Sequence, residues 1–137
     1  MAESIIEFRG GLPGFEQRRK FAALQFADRA PLIFLQSLEE PGLCFITLPV
    51  LAVDPMYRLA VGEEDLARLE LPLERQPLIG DEVLCLAIVA LHESGPTANL
   101  LAPVVVNLRN RKAVQAVAAE SGYSHQQALI AQEAPVC

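Results

Sequence analysis

The chain has 137 residues, 52% of them hydrophobic and 20% charged, which predicts one packed domain over residues 1–137 and excludes wholesale disorder. Its formal net charge of -6 argues against direct binding of nucleic acid. Its longest uncharged apolar runs, residues 83–91 and 100–108, are shorter than the roughly 20 residues that a membrane-crossing helix needs. Charged residues interrupt the first ten positions, so we expect no signal peptide and a cytoplasmic protein.

The charge is unevenly distributed along the chain. Residues 39–93 hold 11 of the 17 acids but 3 of the 11 bases, so this segment has a net charge of -8 and the rest of the chain +2. One interpretation is a solvated acidic face that keeps an apolar protein soluble. The other is a surface complementary to a basic partner, where the field would speed association.

Short apolar segments bounded by turn-forming residues predict a mainly β chain. The predicted strands are residues 5–9, 20–26, 32–37, 43–48, 57–61 and 104–106. Pro41 and Gly42 suit the centre of a tight turn, which predicts a hairpin between the third and fourth strands. Several segments are apolar at nearly every position, which favours strands that are covered on both faces or curled into a barrel.

Helical structure is predicted in one or two places. In residues 61–71, the acids Glu63, Glu64 and Asp65 stand near the start, where the helix dipole favours negative charge, and Pro72 ends the segment. Residues 112–120 are alanine-rich, which slightly favours a helix, although they also alternate as a strand would. Residues 121–137 are predicted as a loop, with residues 126–137 a loose tail.

Catalytic and metal-binding patterns are not recognisable in the sequence. His92 and His125 have no metal-ligand spacing and are interpreted as surface histidines. The three cysteines, Cys44, Cys85 and Cys137, are odd in number and far apart, and are interpreted as buried free thiols. No motif requires a cofactor, so the expected function is not enzymatic.

Two motifs have clear backbone physics. In RGGLPGFE, Pro13 and Gly14 suit the centre of a type II turn, and we assign Gly11, Pro13, Gly14 and Phe15 a structural role. In TANLLAPVVVN, residues 97–107, Thr97 and Asn99 are expected to hydrogen-bond local backbone as the chain leaves a turn at Gly95–Pro96. Pro103 is expected at a strand start, Val104–Val106 form the strand, and Asn107 ends it.

Together these motifs resemble a known family. GLPGF near the start, FLQS at residues 34–37, TANLLAPVVVN, and the late Tyr123 and His125 are similar in order and spacing to the flagellar assembly factor FliW, from about residue 5 to 125. The resemblance implies a small antiparallel β-barrel-like domain with one or two short helices, and it favours a strand at 112–120. This chain departs from the usual pattern at Ala113 and Val114, where members carry glycine and lysine, and around His125, where members often have Arg-His-Pro.

The implied function is a partner switch without catalysis. FliW-like proteins bind the RNA-binding translational regulator CsrA and relieve its repression of flagellin translation, and newly made flagellin competes by binding the same factor. The predicted partner contacts are Asn99, Leu100 and Asn107, then Gln36 and Tyr57, with the field supplied by Glu39, Glu40, Glu63, Glu64 and Asp65. Two alternatives stay open, a flagellin chaperone without a regulator, and a barrel that carries an apolar ligand in a cavity lined by Phe21, Phe34 and Phe45.

Overall fold

The computed structural model describes residues 2–10, 14, 16–117 and 121–129. Nine strands and two short α-helices make up its regular structure, together with a 3-10 turn at Ala27–Arg29. The strands are β1 Ala2–Phe8, β2 Lys20–Gln25, β3 Ile33–Ser37, β4 Cys44–Pro49, β5 Val83–His92, β6 Gly95–Ala98, β7 Val104–Asn107, β8 Lys112–Gln115 and β9 Gln127–Ala128. The helices are α1 Val50–Val53 and α2 Glu63–Leu69.

Seven of these strands form a closed barrel. They lie in the order β4-β3-β2-β1-β8-β7-β5, and β4 pairs with β5 to close the circle. The pairing of β1 with β8 is parallel, and the other pairs are antiparallel. The prediction of a mainly β, barrel-like domain with short helices is therefore confirmed. β6 and β9 extend the sheet beyond β5, outside the barrel.

Strands β7 and β8 and the first half of β5, residues 83–87, are buried on both faces. Leu86, Val104 and Ala113 belong to a cluster in which Phe8 and Phe21 also lie, between the barrel strands. Their sequence neighbours Cys85, Val105 and Val114 belong to a second cluster, which contains Leu66 and Leu69 of α2. Because side chains alternate along a strand, burial of neighbouring residues means that both faces are covered. The near-continuous apolarity of these segments is thus explained.

The predicted hairpin and helix are confirmed. β3 and β4 pair in antiparallel register, and Leu43 N donates to Glu40 O at 3.0 Å across the Pro41–Gly42 turn. Helix α2 begins at Glu63 and ends at Leu69, where Glu70 adopts a left-handed conformation with φ 62°. Its Leu66 and Leu69 are buried, as the spacing of three residues predicts.

Three local predictions are wrong. Residues 57–61 are not a strand, because Gln76 bonds both backbone groups of Val61, at 2.6 Å to its N–H and 3.0 Å to its C=O, in place of a strand partner. The turn expected at Gly95–Pro96 lies at Glu93–Ser94 instead, and both predicted turn residues belong to β6. Cys44 is exposed at the start of β4, whereas Cys85 is buried as predicted. Neither thiol forms a disulfide.

The alanine-rich segment forms a strand over Lys112–Gln115, against its helix propensity. Hydrogen bonding to β7 on one side and to β1 on the other outweighs the preference for a helix, which is on the order of 0.5 kcal/mol per residue. Residues 118–120 lie outside the described part. Of the predicted tail, Gln127 and Ala128 pair with β6, and residues 130–137 also lie outside it, so the loose tail stays a prediction.

Candidate partner-binding surface

Helix α2 carries an acidic first turn on the outside of the barrel. Glu63 and Glu64 are exposed, and Asp65 is half-buried. Arg68 lies 3.1 Å from Asp65 Oδ1 and 3.7 Å from Glu64 Oε2, one turn along the helix. Since surface ion pairs contribute little, about 0–1 kcal/mol each, this arrangement mainly keeps two acids partly neutralised. Glu63 has no ion pair within the described chain.

The segment after α2 adds further acids. Glu82 forms a two-pronged contact with Arg75, at 2.8 and 2.5 Å, and this hydrogen bonding together with that from the Leu78 N–H lowers the pKa of Glu82 to about 2. Lys112 Nζ lies 2.6 Å from Glu70 Oε2 and lowers the pKa of that carboxyl. Both carboxyls therefore keep their charge to a lower pH than a free glutamate does. In the described residues, Glu74 and Asp81 have no ion pair.

The segment of residues 99–102 is a turn held by Asn99. Its Oδ1 accepts hydrogen bonds from the backbone N–H groups of Leu101 at 3.1 Å and Ala102 at 2.9 Å, as the sequence predicts for a local turn device. Thr97 does not act in this way: its hydroxyl lies 3.1 Å from His92 Nε2, across the β5–β6 hairpin. Asn99 is half-buried, so part of its surface remains available.

Leu100 is enclosed on all sides. Its side chain is 1% exposed, its N–H donates to Ser124 O at 2.9 Å, and its C=O accepts from the Tyr57 hydroxyl at 2.8 Å. Tyr57 in turn stacks on Tyr123, with ring centroids 4.4 Å apart, and burial raises the pKa of its phenol. Leu100 and Tyr57 thus fasten residues 121–124 to the barrel. Their burial counts against direct contact with a partner, and that contact stays a prediction.

Asn107 joins α2 to the barrel. Its side chain is 2% exposed, Nδ2 donates to Leu69 O at 2.8 Å, and Oδ1 accepts from Arg109 N at 2.9 Å. The side-chain NH2 group of an asparagine can donate to a free carbonyl at a helix C-terminus, while its side-chain oxygen accepts from an N–H group of the following turn. These two hydrogen bonds explain why an asparagine stands at the end of the motif, without any contact to a partner.

The hairpin residues Gln36, Glu39 and Glu40 have defined backbone roles. Gln36 Nε2 lies within 3.0 to 3.2 Å of three carbonyl oxygens of the β3–β4 turn. Glu39 accepts from the N–H groups of Arg19 and Lys20, which lowers the pKa of its carboxyl. Glu40 pairs with Arg18 at 2.8 Å. These acids lie near the entry to β2, away in sequence from the acids of α2.

Gly14, from the predicted GLPGF turn, has φ +83°, a region that favours glycine and that a type II turn needs at this position. Gly11, Pro13 and Phe15 lie outside the described residues, so the turn and its structural role stay predictions.

The aromatic residues proposed to line a ligand cavity fill space instead. Phe21 is fully buried and packs edge-to-face on Phe8, with centroids 5.4 Å apart, and lies 5.9 Å from Phe45. Phe34 packs on Phe26, at 5.8 Å. Every fully buried side-chain nitrogen or oxygen in the described chain has a hydrogen-bond partner, so none is available to a polar ligand either. The packing gives the carrier hypothesis no support.

The sequence and the fold are similar to those of known proteins. Residues 1–129 match the family described as FliW protein. The chain belongs to the FliW family. It is 34% identical over 122 residues to the flagellar assembly factor FliW of Syntrophomonas wolfei, covering 89% of this chain and 76% of that protein. It is 38% identical over 130 residues to the flagellar assembly factor FliW of Pseudothermotoga lettingae, again covering 89% and 76%.

A crystal structure of the flagellar assembly factor FliW has the same fold. The TM-score is 0.78 at 28% sequence identity, and the match covers 94% of this chain and 87% of that one. The resemblance seen in the sequence motifs is therefore confirmed. Within the described residues, neither helix is long and apolar enough to cross a membrane.

One residue that was not among the predicted contacts, Gln115, has a clear role. Gln115 Nε2 donates to Ala102 O at 2.9 Å and ties β8 to the turn of residues 99–102. The preceding Ala113 and Val114, where this chain departs from the usual family pattern, are both buried in the two clusters. The signal for Gln115 was present in the sequence, as a lone polar residue in an apolar segment.

Proposed function

We propose that the protein is a non-enzymatic regulatory binding protein of the cytoplasm, which antagonises the RNA-binding translational regulator CsrA and is itself sequestered by flagellin. Membership of a flagellar assembly family supports this proposal. The observation that carries it is the acidic surface of α2 and the segment that follows, where acids outnumber bases.

To antagonise RNA binding, the protein has to place negative charge near the RNA, and it need not occupy the RNA site itself. A regulator that holds RNA is basic there, so it attracts an acidic partner, and the acids then repel the phosphates. Two unit charges 10 Å apart in water interact by about 0.4 kcal/mol, and salt at about 0.15 M screens them over roughly 8 Å. Several acids acting together are therefore needed, and the surface around α2 carries seven: Glu63, Glu64, Asp65, Glu70, Glu74, Asp81 and Glu82. Three bases, Arg68, Arg75 and Lys112, pair with four of them, which leaves a net negative surface.

The test is a titration against CsrA by calorimetry, at about 50 mM and about 300 mM salt. We expect wild-type affinity to fall with salt. The double change Glu63→Gln and Glu64→Gln should weaken binding by roughly 3- to 10-fold at low salt, because rim charges contribute up to about 1 kcal/mol each. The matched control, Glu16→Gln with Asp28→Asn, removes two charges outside the acidic segment. Equal losses in both variants, or a flat salt dependence, would count against the acidic surface.

Competition decides between the switch and a chaperone. Flagellin added to the preformed complex with CsrA should release CsrA in proportion to the flagellin bound. Binding of flagellin alone would leave a flagellin chaperone without a regulator. If the protein binds neither CsrA nor flagellin, the proposed function is wrong.

A further inference from the structure

The barrel closes over a short length only. β4 and β5 pair at three positions, Thr47 with Ile88, Leu48 with Ala87, and Pro49 with Leu86. Beyond Ile88, β5 continues to His92 and pairs there with β6, while the first half of β4 pairs with β3. The two strands therefore separate. We define the open fork as residues 44–46 of β4 and 89–92 of β5.

The backbone of Leu91 points into this fork. Leu91 lies opposite Pro96 of β6, and proline has no N–H, so the two residues cannot form a hydrogen-bonded pair. Hydrogen-bonded positions alternate along an antiparallel ladder, which places them at Ala90 with Thr97 and at His92 with Gly95. The N–H and C=O of Leu91 consequently face away from β6, toward β4, and pair with nothing in the described chain.

The backbone of Cys44 points into the fork from the opposite wall. Ser37 N donates to Leu43 O at 2.9 Å, so residue 43 faces β3 and the next residue, Cys44, faces away from it. Cys44 is opposite Gln36 in the register and has no partner on β5. Both walls of the fork thus present main-chain donors and acceptors of a strand edge.

This edge lacks the usual protection against pairing. Exposed strand edges are normally guarded by a charge, a proline or a bulge that blocks another strand. The fork contains no lysine, arginine, aspartate or glutamate, and the Leu91 side chain is 73% exposed. An extended apolar segment can therefore add to it through main-chain hydrogen bonds.

Acids stand at the mouth of the fork. The β4–β5 register, continued outward, brings the β3–β4 turn and the β5–β6 turn to the same end of the sheet. The first turn carries Glu39 and Glu40, which lie against Arg18, Arg19 and Lys20, so its acids are largely offset. The second turn carries Glu93, which is exposed and has no ion pair in the described chain. The free carboxylate of Glu93 thus favours a strand that carries a basic residue beside its apolar ones.

We propose that an extended, apolar strand of the basic regulator, flanked by lysine or arginine, docks in the open fork. It would pair with the edge of β5 that faces β4, at Leu91, and so add a strand to the sheet. This inference rests on the proposed function, and it specifies how that partner is held.

The first test compares two variants at Leu91 with a control. Leu91→Pro removes an N–H that forms no internal bond, and Leu91→Lys adds the kind of charge that guards an edge. Ile5→Lys changes another exposed apolar residue, 56% exposed on β1. We expect both Leu91 variants to weaken CsrA binding at least 10-fold in calorimetry. Ile5→Lys should bind as wild type does, and Leu91→Lys should keep the wild-type thermal midpoint even where Leu91→Pro does not.

The second test uses the thiol of Cys44 as a reporter in a Cys137→Ser background. Cys85 is 1% exposed and burial raises its pKa to about 12, so it serves as the unreactive internal reference. Alkylation of Cys44 is followed at mildly alkaline pH, because desolvation raises the pKa of this thiol. Saturating CsrA should slow the reaction at least 10-fold.

The outcomes separate the docking mode from the function. If CsrA binds wild type and both Leu91 variants equally, and Cys44 stays reactive, the docking mode is overturned while the proposed function survives. If CsrA does not bind wild type, both are overturned. If Leu91→Lys changes only the oligomeric state of the free protein, the edge pairs copies of this chain and the inference is wrong.

Discussion

Truncating Leu100 to alanine should destabilise the fold without a separate binding defect. The side chain is 1% exposed and packs in the cluster between α2 and the outer face of β5, β7 and β8. Removing buried methyl groups costs the lost transfer free energy and leaves a cavity, together about 2–5 kcal/mol for a leucine. For a domain whose whole stability is on the order of 5–15 kcal/mol, that is a large fraction.

The free energy of unfolding is measured by urea denaturation, with the m-value checked for constancy. A loss of about 2–5 kcal/mol should lower the thermal midpoint by roughly 5–15 °C in a chain of this size. Leu101→Ala is the matched control, because its neighbouring side chain is only half-buried, and we expect it to cost about 1 kcal/mol or less. CsrA binding is then measured at a temperature where each variant is fully folded.

A particular result would refute this reasoning. Suppose that Leu100→Ala unfolds within about 0.5 kcal/mol of wild type yet binds CsrA or flagellin much more weakly. Leu100 would then contact the partner, as the sequence motif suggested, and its burial in the free protein would have to open on binding.

Three further changes test other contacts. Asn107→Ala should cost about 2–4 kcal/mol in urea denaturation, because it removes the buried 2.8 Å bond to Leu69 O and the bond from Arg109 N. Half-buried Asn110 makes a longer bond of 3.4 Å to the same carbonyl, so Asn110→Ala should cost less, about 1 kcal/mol, and equal losses would contradict the role given to Asn107. The pKa of Glu82 is lowered from 4.5 to about 2, so its contribution to stability is present above pH 4.5 and is lost as the pH falls toward 2. Glu82→Gln should therefore flatten the pH dependence of the thermal midpoint in that window, and Glu74→Gln should leave it unchanged. Gln115→Ala should cost about 1 kcal/mol and increase hydrogen exchange at Leu101 and Ala102, in the turn that it ties to β8; unchanged exchange there would show that the bond is dispensable.

Local features of the sequence were enough to predict many of the elements. Pro41 and Gly42 have dihedral preferences that act whatever surrounds them, so the β3–β4 hairpin could be read directly. The acids at the start of α2, its paired leucines and Pro72 act within one or two turns, and they predict its position to within about two residues. Apolarity at nearly every position reflected burial on two faces for residues 83–87, although it could not say which strands would be neighbours, and it did not reveal that residues 90 and 91 are exposed.

Tertiary contacts decided what local preference left open or misjudged. Lys112–Gln115 became a strand because β1 and β7 offered hydrogen-bond partners on both sides, against an alanine-rich composition. Tyr57 looked like part of a strand and like an amphipathic contact residue, but its hydroxyl is committed to a carbonyl 43 positions away. Leu100 and Asn107 are likewise part of a recognisable motif, but their roles depend on bonds to distant segments. Leu100 bonds to Ser124 and Tyr57, and Asn107 bonds to Leu69.

The sequence by itself determined the family, the β-rich class and the acidic balance of residues 39–93, because composition and motif spacing do not depend on the path of the chain. The tertiary structure alone decided which motif residues are buried and where the barrel edge stays open. Burial and strand pairing depend on which distant segments meet, and Pro96 shows the reason most clearly. Its missing N–H is a local property, but it directs Leu91 toward the fork only because the fold places the two residues opposite each other.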